Sequence, residues 1–198
     1  ENSGKSDAQL FTEKAALQAE FGRIVCISFG KVKFDEVGDA TLQIVSYTGT
    51  EEEILSQSLK LINGLCKGGV KLFGHNIKRF DIPYICKRAF INRMEVPAAL
   101  QVWDKKPWEI PMQDTMDVWS FGAWQEGFAS LDLICGVLDI PSPKGAMRGE
   151  EVPAAFWQGR LTEIATYNME DVIALGRIIL KVSGLNLFEE ESITRNTL

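Results

Sequence analysis

The stretch Val70-Lys71-Leu72-Phe73-Gly74-His75-Asn76-Ile77-Lys78-Arg79-Phe80-Asp81-Ile82-Pro83 decides how this chain is read. Val70 to Phe73 is a short apolar run that suits a buried strand. Gly74 and Asn76 are turn residues. Asp81 stands just before Ile82-Pro83, and proline is at home in the first turn of a helix. The pattern therefore predicts a helix from near Ile82 to Met94, with Asp81 as its N-cap. Strand, turn and helix in that order are the unit of an α/β fold, whose ligands gather in loops at the strand ends.

Working outward, Arg23 to Phe34 reads as a strand and Ala40 to Tyr47 as its hairpin partner, across a turn near Gly38. Thr50-Glu51-Glu52-Glu53 is a capping-box pattern, which opens a helix ending at Gly64 or Gly68. A short helix is expected over 11–19, after a polar start. Glu95 to Gln113 holds three prolines and two tryptophans and reads as an irregular loop. Asp114 to Phe121 suits strand and helix equally. Ser130 to Leu138 is a short helix, and Pro141 to Glu151 a Gly/Pro/Lys loop. Two helices close the chain near 152–157 and 160–183, and the tail after Gly184 is expected to be loose. The whole reads as one domain over 1–198, with a core of about 11–183, flexible ends and a mixed sheet flanked by helices.

The last helix carries Tyr167-Asn168-Met169-Glu170-Asp171. At about 100° per residue, Glu163, Thr166, Glu170, Arg177 and Lys181 share a polar side. Ile164, Val172, Leu175, Ile178, Ile179 and Val182 share the apolar one. Asp171 falls between Ile178 and Ile164 and so points inward, with Tyr167 one turn earlier at the edge of that stripe. An inward carboxylate is costly unless a cation or several donors meet it. A Mg²⁺ site and a carboxylate satisfied by an arginine or a helix N-terminus are equally good readings of this motif alone. The first segment alone favours structure. Asp81 suits an N-cap, Asn76 a turn and Phe80 the core, and His75, the single histidine, suits a structural role. The two segments together, an acid at a strand-end turn and an inward acid on a late helix, point to a site.

Composition is that of a globular protein, 45% hydrophobic and 24% charged, with no apolar run that could span a bilayer and no signal-peptide pattern. Cys26, Cys66, Cys86 and Cys135 are widely spaced, which fits buried thiols in a reducing, cytoplasmic setting and not zinc ligands. The net charge of −6 argues against a simple nucleic-acid coat. Yet Lys67 to Arg93 carries seven basic residues against Asp81 alone. A solvated helix face is the usual meaning of such a run; attraction of a phosphate backbone is the second.

Asn76-x-x-x-Phe80-Asp81 resembles the second exonuclease motif of the DEDD 3′–5′ exonucleases. Tyr167-x-x-x-Asp171 resembles their third motif in its tyrosine (DEDDy) form. The stretches Phe21 to Ile27, Gly74 to Ile85, Asp114 to Val118, Ser130 to Asp132 and Gly149 to Val172 are similar to predicted 3′–5′ exonucleases related to the proofreading domain of family B DNA polymerases. The resemblance implies a ribonuclease H-like fold, two Mg²⁺ or Mn²⁺ ions, and hydrolysis at the 3′ end of a nucleic acid, single-stranded DNA first and RNA second. It implies that Asp171 binds one ion directly, that Asp81 serves the second through water, and that Tyr167 orients the attacking water. His75, Asn76, Lys78, Arg79 and Phe80 would line the substrate, with Lys144 as a further phosphate contact. The family's first strand, carrying Asp-x-Glu, is missing from these 198 residues. The alternative expectation is therefore an exonuclease-like module that binds nucleic acid or protein without chemistry. The Trp-bearing loop from Val102 to Trp108 offers a stacking platform unless it packs back onto the core.

Overall fold

The computed structural model describes residues 14–121, 129–143 and 147–198. Strands β1 (Ile27–Phe34) and β2 (Ala40–Tyr47) form an antiparallel hairpin in register from Ile27↔Tyr47 to Phe34↔Ala40. Asp35 closes its turn by accepting bonds from the amides of Val37 and Asp39. β1 begins at Ile27, not at Arg23, because the amide of Ile24 donates to the Glu51 carboxylate (2.7 Å) instead of to a strand.

Helix α1 (Glu51–Lys67) starts with the expected capping box, the Thr50 amide meeting Glu53 and the Glu53 amide meeting Thr50. It buries Ile54, Leu55 and Ile62 completely, each worth about 1.5–3 kcal/mol. β3 (Leu72–Gly74) leads into α2 (Asp81–Ile91). The segment that suited strand and helix equally is mostly helix, α3 (Thr115–Ser120); Asp114 ends β4 (Met112–Asp114), which pairs parallel to β3 and begins inside the expected loop. Helices α4 (Leu131–Val137), α5 (Val152–Trp157) and α6 (Leu161–Val182) come next. Of the helix expected over 11–19, Ala15–Leu17 form one 3-10 turn, and 11–13 lie outside the described residues, as does Lys144.

The tail is not loose. β5 (Ile193–Thr197) lies parallel beside β2, from Leu42↔Ile193 to Ser46↔Thr197. It is anchored by Phe188, 3% exposed, whose ring lies where a side chain on Gly176 would have to go. The single apolar stripe read for α6 also needs correction. Ala165, Met169, Ile173 and Leu180 pack with Leu42 and Ile44 of the hairpin, while Ala174 and Ile178 pack against Ile134 and Cys135 of α4. Val182, placed on the apolar side, is 44% exposed. The helix is clamped from two sides, so its buried surface is wider than one stripe.

The fold is α/β, a mixed sheet flanked by helices, consistent with ribonuclease H-like architecture. Its described strands form two pieces, β1-β2-β5 and β3-β4. Among the described residues no strand joins the two pieces.

Candidate functional site

β3 ends at Gly74 and the chain turns at once. A Cβ on Gly74 would stand 2.7 Å from that of Ile77, so the turn needs glycine. Asn76 adopts φ 57°, a left-handed conformation that asparagine tolerates better than most residues. The turn's backbone is held by one side chain. Asp114, at the end of β4 and 2% exposed, accepts bonds from the amides of Asn76 (2.8 Å), Lys78 (3.1 Å) and Met116 (3.0 Å). The same carboxylate therefore fastens the turn and caps α3. Sequence reasoning assigned Asp114 no role. The Asp-Thr-Met spacing marks a cap, but its bonds to the turn span 38 and 36 residues.

His75 is partly buried, with Nδ1 2.7 Å from the Thr115 hydroxyl. Burial holds its pKa below the ordinary value, so the ring is neutral at pH 7. Asp81 is the first residue of α2, not its cap; Phe80 holds the cap position and makes no capping bond. One side of Asp81 reaches solvent, while protein atoms crowd the rest. That crowding pushes its carboxyl up to about 6; its own amide opposes the shift and the Asp114 charge adds to it. Phe80 is 39% exposed and leans on Tyr84 with ring centroids 5.7 Å apart.

The basic run around this turn is less positive in space than along the chain. Lys78 pairs with Asp117 (2.9 Å), Lys87 with Glu20 (2.8 Å), and Arg88 with the buried Glu51. All three acids come from outside the run. Arg88 also bonds the carbonyl of Ala19, so the Glu51–Arg88 pair ties the segment before β1 to α1 and α2.

Tyr167 and Asp171 lie one turn apart on α6, both partly buried. Burial pushes the Asp171 carboxyl up to about 6, and the charges of Asp132, Asp81 and Glu170 add to it. The Tyr167 phenol is raised by burial and by the charges of Asp171 and Asp132. So Asp81 and Asp171, 90 residues apart in sequence, lie within electrostatic reach of each other. Gly149 passes over the phenol, with room for a Cβ 3.5 Å from the hydroxyl. Asp132, in the first turn of α4, accepts a bond from the Ser142 hydroxyl (2.7 Å). It is the acid the sequence reading missed, because its spacing says nothing of α4 packing on α6.

Among the described residues, no three His, Cys, Asp or Glu side chains converge closely enough to hold a metal ion. The chemistry of the donor set still suits a hard divalent cation. Mg²⁺ binds through one or two carboxylates and fills its remaining positions with water and substrate phosphate. Asp81 and Asp171, two crowded acids that feel each other's charge or that of further acids, fit that description. They do not by themselves fit two ions.

No curated protein matches the chain. A family model does, one described as a predicted 3′–5′ exonuclease related to the exonuclease domain of PolB, and it spans residues 14–186. That span takes in the hairpin, the Asn76–Asp81 turn, Asp114, Asp132 and all of α6. The chain therefore belongs to this family of predicted 3′–5′ exonucleases, which makes it a nuclease-type hydrolase domain by descent.

Proposed function

We propose that this domain removes nucleotides from the 3′ end of a single-stranded nucleic acid, DNA in the first instance, with divalent metal ions. The observation that carries the reading is Asp171. It is drawn inward on α6 beside Tyr167; burial pushes its carboxyl up, and the charges of Asp132, Asp81 and Glu170 push it the same way. Such a carboxylate is stabilised by a cation. Exonuclease domains of this type generally use divalent metals, which supply charge neutralisation and a hydroxide at neutral pH.

In this reading Asp171 would hold one ion, and Asp81, at the start of α2, would serve a second through water; the ions would supply charge neutralisation. Tyr167, with its pKa above 10, keeps its proton at neutral pH and orients the attacking water by hydrogen bonding instead of removing a proton. His75, Asn76, Lys78, Arg79 and Phe80 face the terminal nucleotide. Lys78 reaches a phosphate only by sharing itself with Asp117. A second ion requires carboxylates beyond Asp81 and Asp171, which an Asp-x-Glu strand joining the two pieces of sheet would bring. The absence of a third converging ligand among the described residues favours a second reading, a module that binds strand ends without cutting them.

The test is degradation of a 5′-labelled single-stranded DNA, and its RNA counterpart, with Mn²⁺, Mg²⁺ or EDTA, beside Asp171→Ala. A metal-dependent ladder shortening from the 3′ end and lost in the variant is the expected result. Binding without shortening under every condition would establish the module instead.

A further inference from the structure

The chain between α2 and β4 packs back onto the core by its aliphatic residues and turns both of its tryptophans outwards. Leu100 is 3% exposed, and Val102 and Ile110 pack in the same cluster as the inner face of α1. Trp103, in contrast, is 68% exposed and Trp108 74%. Three hydrogen bonds fix the frame that carries them. The Gln101 side-chain amide donates to the Val96 carbonyl (2.8 Å), the Lys105 ammonium to that of Ala98 (3.1 Å), and the Lys106 backbone amide to the Glu109 carboxylate (2.9 Å). Lys106 also stands over the Trp108 ring, 5.4 Å from its centroid. Indoles left in water on a fixed frame are a binding feature more than a packing fault.

This loop adjoins the link between α1 and β3. The Leu72 amide donates to the Pro111 carbonyl (2.8 Å) and the Val70 amide to that of Leu65 (3.0 Å), so Lys71 is held between the loop and the end of α1, where Lys67 stands. Both lysines are exposed. The face lies at the end of the β3–β4 ladder opposite the candidate site. The two strands run in parallel from Leu72 and Met112 to Gly74 and Asp114, and the turn bearing Asp81 begins only there. The two ends differ in charge. Beside the site, Lys78, Lys87 and Arg88 are each paired with an acid; among the described residues Lys67, Lys71 and Lys106 form no ion pair. With Lys105, four lysines stand at this end against Asp104 and Glu109, in a chain whose net charge is −6. Resting on the function proposed above, we infer that this face is a second contact for the single strand, a platform that holds the body of the strand remote from its 3′ end. The occupant follows from the chemistry. Indoles stack on bases of any sequence, and unpaired lysines attract phosphates. The acids that pair with the cations near Asp81 cancel much of their charge, so the electrostatic hold on a polyanion falls to the far end.

The experiment is equilibrium binding of a 5′-fluorescein-labelled strand of twenty thymidines, read by anisotropy in EDTA so that no hydrolysis intervenes. Trp103→Ala combined with Trp108→Ala should weaken binding at least about tenfold, the weight of one base–aromatic stack. The melting temperature should not move, since both side chains are exposed. Lys67→Gln with Lys71→Gln should lower the slope of log K against log salt by about 1.4, at about 0.7 for each phosphate contact of a single strand. Binding that the tryptophan pair leaves unchanged would overturn the platform. So would a polyglutamate that displaces the labelled strand as well as the unlabelled strand does, or binding to phosphatidylglycerol vesicles and not to the strand. Shortening of the same strand with Mn²⁺ tests the exonuclease reading separately. Cutting by the wild type, with no loss of binding in the tryptophan variant, overturns the platform alone. Binding lost in that variant, with no cutting by the wild type, supports the platform and overturns the exonuclease alone.

Discussion

Asp114 and Asp171 are both acids drawn into the protein, and they are held in opposite ways. Asp114 accepts three backbone N–H groups and binds the turn, β4 and α3 into one unit. Asp171 meets no hydrogen-bond donor among the described residues, and the charges that raise its pKa are other carboxylates. A carboxylate surrounded by donors is structural, and its ionised form is stabilised by the fold. One surrounded by acids costs the fold stability, and such a cost is sustained where function needs it. The two acids thus separate scaffold from site.

The largest effect expected is on the scaffold side. Asp114→Ala leaves three partly buried amides without their acceptor, a loss of roughly 2–4 kcal/mol at about 1 kcal/mol or somewhat more each. Urea unfolding measures it, and a loss below about 1 kcal/mol would break the contrast. On the other side, Asp171→Asn should stabilise the metal-free protein at pH 7 by about 2–3 kcal/mol, because the carboxyl, pushed up to about 6 in the fold, is costly to ionise there. The same change should remove metal-dependent hydrolysis. Destabilisation by Asp171→Asn would show that a donor meets this carboxylate after all.

The third prediction sharpens the contrast through pH. Asp171 and Asp81 titrate near 6 in the folded chain and near 3.9 when unfolded. Their folded pKa values are raised, so the stability they contribute is fully present below about 4 and is lost as pH rises through 6. The melting temperature of the metal-free wild type, taken relative to Asp171→Asn, should therefore fall between pH 4.5 and 7. Cation binding shows the reverse trend, because protons compete for the same oxygens, so hydrolysis should weaken below pH 6. The smallest effect belongs to Lys78→Gln. Its pair with Asp117 is solvent-exposed and worth at most about 0.5 kcal/mol, so melting barely moves. If Lys78 nonetheless meets a phosphate, the salt slope of strand binding drops by about 1.

By itself the sequence determined what depends on residues close together in the chain. The hairpin, the Thr50–Glu53 box and the extents of α1, α4, α5 and α6 follow from periodicity and capping, whose range is one or two turns of backbone. Asp81 and Asp171 stood out as candidates for the same reason, each against a local pattern of turn or helix. The tertiary structure decided what depends on partners far away. That Met112–Asp114 became a strand rested on β3 offering an edge, and the tail became β5 because β2 offered another and Gly176 left room for Phe188. The clamp on the turn, the neutralised basic run and the approach of Asp132 to Asp171 all join segments that local spacing cannot relate. Hydrogen bonds and charges act through space, and only the folded chain sets those distances.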